Sequence, residues 1–162
     1  MSYEFCAYPF LEEDAFLCDY EIATDVLASQ VSLARHDIHH IPSVILQEII
    51  ELLYHANGSI RGKCAINQEE VVRLKEIYDQ YETKITTFVL PDGCIGASQL
   101  HVLRAQCKAI IRLMVRIRKQ QEVAQTLFDF MNLLSNTFFM MSLYENKQEG
   151  YSPIPFISRS YV

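Results

Sequence analysis

Residues 93–121 read GCIGASQLHVLRAQCKAIIRLMVRIRKQQ, and the architecture is read outward from this segment. After Gly96 its periodicity is helical to about Lys119. It contains no Asp or Glu, yet holds Arg104, Lys108, Arg112, Arg116, Arg118 and Lys119, six of the chain's 14 Lys and Arg. Arg104, Lys108, Arg112 and Arg116 recur every four residues, which on a helix makes one slowly drifting stripe of positive charge. Like charges at that spacing repel by a few tenths of a kcal/mol per pair, and no local acid offsets this. Neutralisation must come from elsewhere. Either an acidic face of a neighbouring helix supplies it, from the chain's 20 acids, or a bound anion such as a triphosphate does. Guanidinium forks grip phosphate oxygens in pairs, which suits the second reading.

Four further helices flank this one. The first spans about Asp14 to His40, with Ile22, Val26, Leu27, Leu33, Ala34 and Ile38 as its apolar face. A second begins at Pro42, where a first helical turn tolerates a missing N–H, and stops at Asn57-Gly58, read as a left-handed terminator. The third starts at Asn67 with Glu70 three residues on, an Asn-led capping box, and carries a narrow stripe of Val71, Leu74, Ile77, Tyr78 and Tyr81. A fifth runs from Gln121 to Asn146 with Val123, Leu127, Phe130, Leu134, Phe138 and Met141 at threes and fours, and Gly150 ends it. Between the third and fourth, Thr86-Thr87-Phe88-Val89-Leu90-Pro91-Asp92-Gly93 is a short extended run closed by turn residues. Pro91 pushes Leu90 out of helical dihedrals, and Gly93 is free to take positive φ. No strand signal is strong enough to build a sheet. The fold expected is all-α, a single-domain five-helix up-and-down bundle over residues 1–162, with irregular arms at 1–14 and 147–162.

Composition narrows the function. The chain is 162 residues, 50% hydrophobic and 21% charged, with 5 Gly and 5 Pro, which disfavours disorder. A net charge of −6 disfavours a general nucleic-acid partner, and no apolar run approaches the ~20 residues of a membrane span. Five scattered cysteines, odd in number and without a C-x-x-C pair, read as reduced thiols in a cytoplasmic protein. The start, MSYEFCAYPFLEEDAF, lacks the features of a secretory signal.

Two smaller groups attract chemical readings. His36 and His40 are one turn apart, a spacing able to clamp a metal, with His39 beside them. No accompanying ligand sits at metalloprotein spacing, so no metal is expected, and the three read as a polar helix end whose charged form suits the dipole. The Phe- and Met-rich run from Phe128 to Met141 reads as core. Phe88 lies in the irregular segment beside Pro91 and Gly93, where binding residues tend to sit on a rigid scaffold; the alternative is a plug for the bundle end.

The run Phe88-Val89-Leu90-Pro91-Asp92-Gly93, with ASQLHVLRAQCKAIIR at 97–112 after it, resembles the ATP:cob(I)alamin adenosyltransferases of the PduO type. Their members carry F-[IV]-L-P-x-G followed by a helix beginning A-x-x-L-H-x-x-R-x-x-C-[RK]. DVLASQVSLAR at 25–35 is similar to the family's D-E-L-N-S-x-I-G-L-A-R helix, and FMNLLSN at 130–136 to its Y-L-N-R-L-S-D helix. The likeness spans residues 25–145. It implies a five-helix bundle assembled as a homotrimer, with small-molecule ligands at the subunit interfaces. The implied reaction moves the 5′-deoxyadenosyl group of ATP, taken with Mg, onto the cobalt of reduced cobalamin and releases triphosphate. By the same resemblance Asp25 and Arg104 pair across the interface, Phe88 crowds the lower face of the corrin, and Asn132 contacts the nucleotide. Arg104, Lys108 and Arg112 are then the catalytic cations, with Lys108 and Arg112 also holding the phosphates.

The chain departs from the family at its start and in the fourth helix. The family's T-G-x-G-D-x-G-x-T segment, whose backbone wraps the triphosphate, is replaced by a glycine-free stretch with Glu12, Glu13 and Asp14 in succession. Peptide nitrogens approach phosphate closely only where side chains do not block them. The family's R-x-x-x-R-R-x-E reads Arg104, Lys108, Ala109 and Ile111, so one arginine fork has become a lysine. Leu133 stands where the family has arginine, and Asn136 where it has aspartate. Two alternatives to a working transferase follow: a homologue that binds a corrinoid or other ligand without adenosyl transfer, and a structural helical trimer whose basic stripe meets a neighbour's acids.

Overall fold

The computed structural model describes residues 3–160 and contains five α-helices and a 3₁₀ turn at Tyr3–Phe5. They are α1 (Phe16–Ala34), α2 (Ser43–Gly58), α3 (Gln68–Tyr81), α4 (Ile95–Ile117) and α5 (Gln125–Gln148). α2 packs on α1, α1 on α4, α4 on α5, and α5 on α3. α4 and α5 are the central pair. One apolar cluster runs through the middle, with Tyr20, Leu27, Leu53, Leu74, Leu100, Phe130 and Phe138 each at most 1% exposed. No helix among the described residues is long and apolar enough to cross a membrane.

The helix starts follow local chemistry. At α3 the expected capping box forms, with the Asn67 N–H donating to Glu70 Oε2 at 2.7 Å. Gly93 takes φ 136° and Gly150 takes φ 79°, the two glycines with positive φ among the described residues. Gly96 has another task. A Cβ there would lie 2.5 Å from the Asp37 carbonyl oxygen, so only glycine lets the start of α4 meet the α1–α2 connection.

Several expectations need correction. α1 ends at Ala34, short of His40, because Glu145 on α5 captures the chain: its buried carboxylate accepts the N–H of His39 at 2.6 Å and of His40 at 3.1 Å. Pro42 occupies the cap position, and the helix begins at Ser43. Gly58 is not left-handed. Ser59 ends α2 instead, its hydroxyl donating to the His55 carbonyl at 2.6 Å and accepting the Ala65 N–H at 2.9 Å. α5 starts at Gln125, since Gln121 is drawn away to donate to the Ile60 carbonyl at 2.8 Å.

The apolar face assigned to α1 also splits. Leu27, Ala34 and Ile38 are buried, but Ile22 and Val26 are 44% exposed and Leu33 is 64% exposed. The core-facing stripe of α1 is Tyr20, Thr24, Leu27, Ala28, Val31 and Ala34, polar Thr24 being accommodated by donating to the Tyr20 carbonyl at 2.9 Å. α1 therefore carries apolar side chains on two faces.

Candidate ligand cleft between α4, α5 and the Phe88 segment

A cleft of about 410 Å³ opens where residues 85–89 pass over α4 and α5. Phe88 stands at its lip, 84% exposed, and Thr86 and Thr87 line the same side. Arg104 and Lys108, one turn apart on α4, line a second side, and Ser135, Asn136 and Phe139 of α5 a third. Ser135 fixes the register of the two helices by donating to the Arg104 carbonyl at 3.1 Å.

The electrostatics are one-signed. Among the described residues no carboxylate forms an ion pair with Arg104, Lys108, Arg112, Arg116, Arg118 or Lys119. Arg61 and Arg73 behave oppositely, binding Glu13 with Glu21 and Glu48 with Glu76. The Arg104 guanidinium lies 5.6 Å from the Phe139 ring centre, and its buried Nε has no hydrogen-bond partner among the described residues. His101, one turn before it, is 4% exposed, and burial together with the nearby Arg104 charge lowers its pKa to about 4. Its imidazole is neutral at pH 7 and adds no charge to the cleft. Farther along α4, Arg116 and Arg118 lie over the rings of Phe16 and Phe128 at 5.1 and 4.6 Å, so the stripe is partly occupied by cation–π contacts.

The backbone around Phe88 is held from both sides. The Phe156 N–H donates to the Phe88 carbonyl at 2.8 Å, and the Leu90 N–H to the Ile154 carbonyl at 2.9 Å, with Val89 bridged antiparallel to Pro155. The tail beyond α5 thus doubles back along the extended run. On the other side, Asn146 Oδ1 accepts the Cys94 N–H at 3.0 Å and its Nδ2 donates to the Asp92 carbonyl at 2.9 Å.

Of the residues singled out from sequence, the cleft brings together Phe88, Arg104 and Lys108. Arg112 is exposed one turn beyond Lys108 and outside the lining. Asn132 is exposed on α5, its amide donating to the Phe128 carbonyl at 2.9 Å. Asp25 lies in a separate hollow of about 350 Å³ with Glu21, Tyr8, Tyr54 and Asn57, where it accepts the Tyr54 hydroxyl at 2.7 Å. Within one chain it does not meet Arg104. Thr86, Thr87, Ser135, Asn136 and Phe139 also line the cleft, although the sequence reading assigned none of them a site role. Phe139 was hidden inside a run read wholly as core, although its four-residue spacing from Ser135 puts both on one face of α5.

Two other features bear on chemistry. The acidic arm is stitched down by Arg61, whose Nη1 donates to Glu13 at 3.0 Å and Nε to Glu21 at 2.7 Å, with its guanidinium 4.1 Å from the Phe10 ring centre. His40, Glu145 and Glu149 place ligand atoms within 4.8 Å of one another, while His36 lies outside the group. Glu145 already serves the two backbone donors, and His40 Nε2 meets Glu149 at 2.8 Å, so the group braces α5 against the α1–α2 connection.

Comparison with known proteins agrees with this architecture. The model of the cobalamin adenosyltransferase family matches residues 18–145. The corrinoid adenosyltransferase MMAB of Homo sapiens is 30% identical over 144 residues, covering 78% of this chain and 58% of the human protein. That of Bacillus subtilis is 28% identical over 94 residues, covering 56% of this chain and 49% of its own. The chain thus spans about half the length of these curated relatives. Among solved structures, a variant PduO-type ATP:corrinoid adenosyltransferase from Lactobacillus reuteri, complexed with cobalamin and ATP, superposes with a TM-score of 0.80 at 24% identity, over 90% of this chain and 88% of that one. A second variant from the same source, complexed with ATP, gives 0.79 at 27% identity over 89% and 88%. The helical order, the extended Phe88 segment and the family match over most of the chain place it in the cobalamin adenosyltransferase family.

Proposed function

We propose that the chain is a corrinoid adenosyltransferase, carrying the 5′-deoxyadenosyl group of ATP to the cobalt of reduced cobalamin in a site completed at the subunit interface of a cytoplasmic homotrimer. The observation that carries this reading is the cleft itself: an exposed aromatic stands beside two cations that have no carboxylate partner among the described residues. Cobalamin and ATP, with Mg, are the substrates. Phe88 stands against the lower face of the corrin and excludes a lower ligand, which helps the cobalt reach its nucleophilic reduced state. Arg104 and Lys108 hold the phosphate oxygens of ATP and stabilise the charge that builds on the departing triphosphate. Arg112 extends that cationic track, and Asn132 contacts the nucleotide from α5. Asp25 of one subunit pairs with Arg104 of the next, drawing together the two hollows that one chain keeps apart.

The apolar residues left outward on α1 support assembly, since Ile22, Val26 and Leu33 remain 44%, 44% and 64% exposed. Calorimetric titration of Mg-ATP and of cob(II)alamin, separately, tests the reading. Both ligands are expected to bind, and Lys108→Ala to weaken only the first. Absence of ATP binding at millimolar concentration would falsify it.

A second reading is favoured by the arm. Glu12, Glu13 and Asp14 stand where the resemblance expects the family's phosphate-wrapping segment, and Arg61 ties Glu13 down. In that reading the chain holds a corrinoid without transferring adenosine. Cob(II)alamin would then bind while Mg-ATP would not, and sustained turnover to the adenosyl form excludes it.

A further inference from the structure

The position of Phe88 needs an explanation that its own ring does not supply. At 84% exposure the ring has almost no packing to locate it. Its place at the lip of the cleft is set by its backbone alone, and that backbone is held by hydrogen bonds on either side. The tail takes the Phe88 carbonyl and the Leu90 N–H. The turn that follows is held by one buried side chain, Asn146, which is 3% exposed and sits near the end of α5.

Asn146 and Gly93 fit as a lock. The asparagine amide spans the turn, accepting from Cys94 and donating to Asp92, the two neighbours of Gly93. Gly93 between them takes φ 136°, and a Cβ there would come within 1.9 Å of Asn146 Oδ1. The amide therefore fills the space that any larger residue at 93 would claim. Only a side chain with an acceptor and a donor at that reach satisfies both backbone groups. The tail starts from the same position, since the Tyr151 N–H donates to the main-chain carbonyl of residue 146 at 2.8 Å, a bond that any side chain there would keep, and so begins the return toward Phe88. Both restraints on the Phe88 segment converge on one position of α5.

We propose that Asn146, locked against Gly93, is a positioning residue that presents Phe88 as a fixed wall of the cleft. This rests on the reading of Phe88 as the residue facing the corrin. A wall that excludes a lower ligand must resist being pushed aside, and an unpacked ring resists only as far as its backbone is held. Preorganisation of this kind is a property of the ligand-free chain, so it is measurable without substrate.

Two variants attack the lock from opposite sides. Asn146→Ala removes the amide, and Gly93→Ala drives a methyl into it. Hydrogen exchange on the ligand-free protein reads the lock through the amides of Leu90, Cys94 and Phe156. Each variant is expected to speed their exchange by about tenfold or more while the core helices keep their protection. The second readout is the absorption and electron paramagnetic resonance of cob(II)alamin bound with Mg-ATP, which report the fraction lacking a lower ligand. That fraction is expected to fall in both variants while affinity for Mg-ATP stays at the wild-type value, and Asn146→Asp, which keeps the acceptor for Cys94, should lie between. A wild-type protein that never loses the lower ligand overturns this proposal together with the reading of Phe88. A wild type that does lose it, matched by Asn146→Ala in both fraction and exchange, overturns this proposal alone.

Discussion

Lys108 shows how one substitution redistributes a site. A lysine supplies a point charge where the family's arginine supplies a fork, so it neutralises phosphate while fixing its orientation less well. Lys108→Ala is predicted to lower kcat/KM about 10- to 100-fold, as expected for losing one charge-assisted donor. Lys108→Arg is predicted to tighten Mg-ATP, and steady-state kinetics with titration check both. Phe88→Ala should act differently, reducing kcat with cobalamin while leaving KM for ATP near the wild-type value. His101 supplies a pH test. Its pKa is lowered to about 4 in the fold against 6.5 when free, so between those values the unfolded chain binds a proton that the folded chain refuses. Stability should therefore fall as pH drops through that window, by at most about 3 kcal/mol, and level off below it. Denaturant melts from pH 7 to pH 4 should show that slope, and a His101→Phe variant should show less of it.

The helices were legible because periodicity and caps are local. Asn67 with Glu70 is one such signal, and the turn at Pro91-Asp92-Gly93 is another; both appear in the fold as read. Boundaries set by distant residues were not legible. Nothing near His39 announces that Glu145 ends α1 early, since the partner lies more than a hundred residues along the chain. Gly58 looked like a terminator, yet the end is set locally by Ser59, whose hydroxyl takes the carbonyl four residues back as serine can. The N-terminal arm again depends on a distant partner, its anchor Arg61 lying on the far side of α2. Arg61→Ala strands Glu21, whose side chain is only 8% exposed, and is predicted to cost about 2–4 kcal/mol in denaturant melts. Asn67→Ala, which removes an exposed cap, should cost about 1 kcal/mol.

Taken whole, the chain carries two candidate hollows with no lining residue in common, acids at Glu21 and Asp25 in one and cations at Arg104 and Lys108 in the other. A surface that contacts a different surface of an identical copy closes into a ring when the rotation between copies is a whole fraction of a turn, one third in the proposed trimer. The α1 residues that sequence periodicity assigned to one apolar face fall on two, and the outward set of Ile22, Val26 and Leu33 is available to such a contact. That division was invisible in the sequence, since burial by a neighbouring copy and burial in the core leave the same apolar signature. Leu33→Glu is predicted to dissociate the assembly in sedimentation analysis and to abolish turnover, while helical content by circular dichroism holds. The site was half legible for a related reason: Phe88, Arg104 and Lys108 belong to two motifs close in sequence, whereas Ser135, Asn136 and Phe139 join them only through the packing of α5 on α4.

One assay reaches furthest: Mg-ATP and chemically reduced cobalamin are mixed with the protein, and adenosylcobalamin is followed by its absorbance. The proposed function requires multiple turnovers that fall at least tenfold in both Lys108→Ala and Phe88→Ala. A wild-type protein that binds the corrinoid yet produces no adenosylcobalamin at millimolar Mg-ATP contradicts it, and leaves the cleft as a binding site alone.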